Sequence, residues 1–228
     1  MKPKDLKSPY CFEDRRPCLQ DGVFYVPEYY HQHEAFSLPH WEKIFDNANP
    51  VGIEFCAGNG DWIVEKATTH PESNWVAVEI RFDRVRKIWS KRENRGLKNL
   101  LIVCGEARTF VTHYVDEVQE VFVNFPDPWP KKRHEKHRLM QKDFLAELER
   151  IVRGSVIFVT DDKIYWESTL SLFGKSSLFS DPQFLKEVEG YRNSYFETLW
   201  REKGRNIYYT KFIKEADERI VGAEMALS

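Results

Sequence analysis

Six residues between positions 54 and 127 have the types and spacing to hold a positively charged cofactor. Gly58 and Gly60, in IEFCAGNGDW at 53–62, permit a tight turn whose backbone can approach a ligand closely. Glu79 ends the apolar run NWVAVEI nineteen residues after Gly60, the spacing at which a carboxylate accepts hydrogen bonds from ribose hydroxyls. Glu106 follows NLLIVC, where it can meet an adenine amino group or simply cap the next helix. Glu54 lies inside an apolar run, where a carboxylate is costly without a partner. Ile63 stands where a dinucleotide fingerprint requires its third glycine. Three carboxylates around one turn repel a pyrophosphate and suit a sulfonium with an α-ammonium. That pattern favours S-adenosyl-L-methionine over a nicotinamide dinucleotide.

The sixth residue, Asp127, belongs to NFPDPWPKKRHEKHR at 124–138. Pro126, Pro128 and Pro130 fix the backbone and hold Asp127 and Trp129 in an irregular loop. The basic run after them is expected to open the next helix, where cations oppose the helix dipole and a bound phosphate relieves the conflict. Trp129 either stacks on a base or packs under its own loop.

The elements that must carry these residues alternate along the chain. Strands are predicted at 51–57, 74–80, 99–104, 118–125 and 155–160, rich in Val, Ile and Phe and nearly continuous in apolar character, as in a parallel sheet covered on both faces. Amphipathic helices are predicted at 81–95 and 138–152. Strand–helix alternation implies right-handed crossovers and a doubly wound sheet. YFETLW at 195–200 and NIYYTKFI at 206–213 read as an antiparallel hairpin. Residues 1–35 read as an N-terminal arm and 36–228 as one domain. The 228 residues carry a net charge of −2, but 81–98 hold eight Lys/Arg against two acids and 131–138 hold five against one. Two basic clusters on an acidic body point to a polyanionic partner. No apolar run is long enough to span a membrane. Cys11, Cys18, Cys56 and Cys104 form neither a CxxC nor, with His31 and His33, a familiar zinc spacing, so free thiols in a reducing, cytoplasmic setting and no metal are expected.

The run FPDPWPKKRH at 125–134 resembles the signature of the bacterial tRNA (guanine-N7-)-methyltransferases, with supporting likeness at Glu54/Gly58/Gly60, Glu79, GEA at 105–107, VTD at 159–161 and NIYYTKF at 206–212. The resemblance covers roughly residues 50 to 213. It implies an α/β, Rossmann-like class I methyltransferase with a mostly parallel seven-stranded sheet, helices on both faces and a C-terminal antiparallel hairpin. It further implies S-adenosyl-L-methionine contacts at Glu54, Glu79, Glu106 and Asp127. Contacts to a tRNA substrate are implied at Lys131, at Asp161 and in the segment starting at Thr210, with Lys211, Phe212 and Ile213. Asp127 is the expected catalytic residue, in a monomer or homodimer. The chain departs from the family's usual residues at Cys56 (glycine), Glu106 (aspartate) and Ile213 (glutamate). A methyltransferase for another RNA base and a catalytically silent RNA-binding subunit are the alternative readings.

Overall fold

A computed structural model describes residues 1–10, 15–187 and 195–215. The elements in chain order are β1 (Cys18–Gln20), β2 (Val23–Tyr25), α1 (Trp41–Phe45), β3 (Val51–Phe55), α2 (Asp61–Thr69), β4 (Asn74–Glu79), α3 (Phe82–Arg95), β5 (Leu100–Cys104), α4 (Ala107–Tyr114), β6 (Val118–Asn124), α5 (Lys142–Ile151), β7 (Val152–Thr160), α6 (Lys163–Phe173), β8 (Gln183–Leu185), α7 (Tyr195–Glu202) and β9 (Tyr208–Ile213). They build one sheet of order β1-β2-β5-β4-β3-β6-β7-β9-β8. Strands β3 to β7 are mutually parallel. Every residue of β3 and β4 is buried, which explains their unbroken apolar sequence. Two apolar layers cover the sheet. Phe55, Phe110, Phe144, Phe158 and Phe173 pack on one side, and Trp62, Trp75, Ile88, Trp89 and Phe122 on the other.

Six of the seven expected strands are present, and β1, β2 and β8 are additional. Residues 18–25 of the expected arm form an antiparallel ribbon whose β2 pairs in parallel with β5. Val23, Phe24 and Tyr25 are buried there, so this stretch is integral to the sheet. The C-terminal antiparallel edge also exists, but its pairing differs from the sequence reading. β9 pairs with β7 and β8, and residues 195–202 form α7 instead of a strand. Glu197 and Arg201, four apart, join at 2.8 Å along that helix, and Glu197 also accepts from the Tyr209 hydroxyl. A short aromatic run has no period long enough to separate helix from strand.

One further correction matters for function. The basic run does not open α5. Lys132–His137 forms a separate 3-10 turn, and α5 begins only at Lys142. The cations therefore stand on an irregular connection at the sheet rim, free of any conflict with the α5 dipole.

The chain runs from β3 outward to β4 and β5, then returns to place β6 on the other side of β3. This reversal opens a crevice at the carboxyl ends of β3 and β6, the place where open α/β sheets bind ligands.

Candidate active site

Glu54 and Asn124 face each other across that crevice. Asn124 Nδ2 donates to Glu54 Oε1 at 2.6 Å, and both side chains are buried. Glu54 Oε2 and Asn124 Oδ1 have no hydrogen-bond partner among the described residues. Burial pushes the Glu54 carboxyl up to about 8; the bond from Asn124 opposes the shift, and the charges of Glu79 and Asp61 add to it. Two buried acceptors without donors are an unmet demand for a cationic or multiply donating ligand.

The glycine turn is fixed by Glu79. Its Oε2 accepts from the Gly58 amide at 2.9 Å and its Oε1 from the Arg81 amide at 2.8 Å. Arg84 lies 3.5 Å away. Burial raises the Glu79 carboxyl despite these contacts. Gly58 and Gly60 adopt φ of +57° and +74°. A Cβ at Gly60 would also meet Ile88 at 2.7 Å, so the turn and α3 approach too closely for any side chain. Lys87 and Lys91 of α3 bond to the side chain and the carbonyl of Asn59, and Lys91 also pairs with Asp61.

Glu106 caps α4, its Oε2 accepting from the Thr109 amide at 2.7 Å and the Thr109 hydroxyl at 3.1 Å. The capping role open at the sequence level is thus real, and one oxygen performs it. Cys56 lies among all these acids. Burial pushes its thiol up, and the charges of Glu79, Asp127, Glu54 and Glu106 push it further. Cys56 has φ +64°, a left-handed conformation that glycine adopts without cost and a cysteine does not.

Asp127 is exposed on the loop after β6. The Phe125 amide bonds to the Val159 carbonyl at 2.9 Å, and Phe125 and Trp129 take φ of +45° and +44°, turning the chain sharply on either side of Asp127. Arg138 holds the loop from beneath. It is 3% exposed, donates from Nε to the Pro128 carbonyl at 2.7 Å, and lies 5.1 Å over the Tyr165 ring. Tyr165 in turn accepts from the Met140 amide at 2.9 Å. Arg138 is therefore a brace and not a surface cation, whereas Lys131, Lys132, Arg133 and Lys136 are exposed. Trp129 is 38% exposed, with His137 and His134 rings at 5.2 and 5.7 Å.

The remaining expected substrate residues are dispersed. Asp161 is at the rim beside the carboxyl end of β7 but pairs with Arg205. Thr210 is fully buried and accepts from Trp166 Nε1 at 2.8 Å. Phe212 is buried and stacked on Phe173 at 3.8 Å. Lys211 lies 3.7 Å from Glu120. Ile213 pairs with Ser155, whereas Tyr208 pairs with Thr160 at the site end. Five residues of extended chain, roughly 17 Å, separate the two. The structure does not bring Thr210, Lys211, Phe212 or Ile213 to the carboxylate cluster, because β9 runs antiparallel and carries them toward the opposite edge. The basic helix at 81–98 is likewise engaged internally. Arg81, Arg84, Arg92 and Arg95 pair with Asp83, Glu79, Glu93 and Glu65, and Arg86 donates to the Pro3 carbonyl. Sequence reasoning missed Asn124 and Arg138 as distinct parts of the site. Asn124 stood in view as a polar residue closing an apolar strand.

The donor set suits S-adenosyl-L-methionine. The Glu54–Asn124 acceptors fit an ammonium, Glu79 closes β4 at the carboxyl edge where open α/β sheets bind ligands, and the glycine turn leaves space for close approach. Among the described residues no cluster could hold a metal ion, and no helix is long and apolar enough to cross a membrane.

The sheet order, the carboxylate-lined crevice and the loop beside it define a class I methyltransferase. A family model described as a putative methyltransferase matches residues 48–210. The solved 16S rRNA methyltransferase KamB shares the fold, with a TM-score of 0.57 and 17% identity over 77% of this chain and 93% of that one. Among curated proteins, the tRNA (guanine-N(7)-)-methyltransferase of Chlamydia felis is 52% identical over 94% of this chain and 98% of its own length. The protein of that name from Lactobacillus delbrueckii subsp. bulgaricus is 34% identical over 74% and 82%. The chain belongs to the tRNA (guanine-N(7)-)-methyltransferase family.

Proposed function

We propose that this protein methylates N7 of a guanine in tRNA, using S-adenosyl-L-methionine bound in the β3/β6 crevice. The observation that carries the reading is a buried acidic crevice with unmet acceptors adjoining an exposed basic turn, so that a cationic cofactor and a polyanionic substrate meet on one rim. The cofactor supplies an electrophilic methyl group. Guanine N7 offers a lone pair and carries no proton, so it would bond to the methyl carbon as the carbon–sulfur bond breaks and its electron pair leaves on a neutral thioether, with no general base required. The base becomes cationic as it is methylated, and Asp127, exposed at the rim and held by the turns at Phe125 and Trp129, stabilises that charge. Glu54 and Asn124 hold the amino-acid end of the cofactor, Glu79 the ribose and the free oxygen of Glu106 the adenine. Lys131, Lys132, Arg133 and Lys136 bind phosphates and set affinity, not base choice. Asp161, released from Arg205, orients the guanine edge. Replacing Asp127 by alanine tests the assignment: turnover should be lost while tRNA affinity stays within a few-fold of wild type. Near-normal turnover in that variant removes Asp127 from the reaction.

A further inference from the structure

The end of α7 delivers a cation to the catalytic rim. Gly204 takes φ +67°, the Arg205 amide donates to the Trp200 carbonyl at 2.9 Å, and the Gly204 amide donates to the Arg201 carbonyl at 2.9 Å. Two such bonds around a left-handed glycine close a helix and fix the direction of the residue that follows. The chain then enters β9, where Tyr208 lies opposite Thr160. Arg205 comes three residues before Tyr208 and Asp161 is the first residue past β7, so both stand at the carboxyl edge of the sheet. On the other side of β7, the amide of Phe125, the first residue past β6, bonds to the Val159 carbonyl. Asp161 is therefore flanked by the loop that carries Asp127 on one side and by the end of α7 on the other.

Arg205 Nη1 donates to Asp161 Oδ2, and its guanidinium lies 4.1 Å from the centre of the Trp200 ring. The Arg205 side chain is 51% exposed and that of Asp161 only 11%. The guanidinium thus covers the carboxylate while remaining open to a second anion from solvent. Lys203, also exposed, lies 5.0 Å from the same ring. A helix C-terminus favours cations, which accounts for Lys203 and Arg205 at this end but not for one of them covering the acid at the substrate rim. A half-exposed ion pair holds by no more than about fivefold in an equilibrium. A phosphate presents paired oxygens to the guanidinium fork and makes the stronger, bidentate bond. Exchange of Asp161 for phosphate is therefore favoured.

We infer that Arg205 is a phosphate-operated latch: without RNA it covers Asp161, and a backbone phosphate of the bound RNA draws it away, leaving the carboxylate to accept from the guanine edge. The inference rests on the reading of Asp161 as that acceptor. Arg205 acts through Asp161 and is a positioning residue, and the Trp200 face keeps its guanidinium at the rim in either position. The latch makes an uncovered Asp161 conditional on a polynucleotide backbone, so that a guanine lacking one meets an acid already paired.

Fluorescence anisotropy of the full-length chain with labelled unmodified tRNA over a salt series, together with steady-state methylation of the same tRNA, tests it. R205A should bind about fivefold more weakly at low salt, and the slope of log affinity against log salt should become shallower by about 0.8, the share of one phosphate contact. Its fall in kcat/KM should reside in KM, because Asp161 is uncovered in this variant. R205K should restore the slope. D161N should instead lower kcat about tenfold or more, through the lost charged acceptor, and keep the slope. Calorimetric affinity for S-adenosyl-L-methionine should match wild type in R205A and R205K, which separates loss of the latch from loss of the fold. An R205A chain with wild-type tRNA affinity and slope overturns the latch. So does one whose loss lies in kcat, since the ion pair then supports Asp161 instead of covering it. A D161N chain with wild-type turnover overturns the reading of Asp161 itself, and the latch with it.

Discussion

Replacing Glu54 by glutamine should make the cofactor-free protein more stable at alkaline pH and unable to hold its cofactor. Burial raises the Glu54 carboxyl to about 8, against about 4.3 in an unfolded chain. Between those values the folded protein retains a proton that the unfolded chain has released, so stability falls as pH rises. Below the window both states are protonated, above it both are ionised, and the slope vanishes at either end. At about 1.4 kcal/mol per pKa unit, the loss between pH 5 and pH 8 is about 4 kcal/mol. For a chain of this size that is a fall in melting temperature of about 8 to 16 °C. Glutamine can keep the contact to Asn124 but carries no charge, so most of this slope should disappear; a remainder of the same sign belongs to Glu79, which burial also raises. Thermal melts of wild type and E54Q at several pH values are the assay. Parallel curves would refute the claim that Glu54 is held protonated by burial. Calorimetry supplies the functional half. Wild-type affinity for S-adenosyl-L-methionine should rise toward pH 8 as Glu54 ionises, while E54Q should bind at least about tenfold more weakly with little dependence on pH through that group.

Asp127→Asn should lower the methylation rate constant about 10²- to 10³-fold while leaving cofactor affinity within a few-fold, measured by single-turnover kinetics and calorimetry. Arg138→Ala removes the bond to the Pro128 carbonyl and the contact with Tyr165. It should cost about 2 kcal/mol in urea unfolding and reduce turnover more than tRNA affinity, because the loop that carries Asp127 loses its brace. The double variant Lys131→Ala/Lys132→Ala should weaken tRNA binding and make the salt dependence shallower by about 1.5 in log–log slope, without changing cofactor affinity.

The parallel sheet was legible because its strands are buried on both faces, and continuous Val/Ile/Phe runs such as those ending at Phe55 and Val123 suit a strand covered on both sides far better than a half-exposed one. The acids were legible for a related reason: Glu54 and Glu79 interrupt or close such runs, where a carboxylate needs a purpose. Pairing was less visible. The α3 cations look like a phosphate-binding face in one dimension, yet in the fold they secure the glycine turn, Glu79 and α2. Arg138 reads as one more member of a basic run until its burial shows it bracing the loop. The distance of segment 210–213 from the carboxyl edge was not visible, because strand direction is a property of the whole sheet. At Cys56 the left-handed backbone gives the glycine usual in the family a physical meaning: the turn keeps its shape, and here a cysteine adopts it.

The central claim is tested most directly by incubating the protein with labelled S-adenosyl-L-methionine and unmodified tRNA, then treating the RNA with borohydride and aniline. Label incorporated as 7-methylguanosine, with strand cleavage at one guanine and none when Asp127→Ala replaces wild type, is the predicted result. Transfer of label to another position of the RNA, or no transfer although cofactor and tRNA both bind, would contradict it.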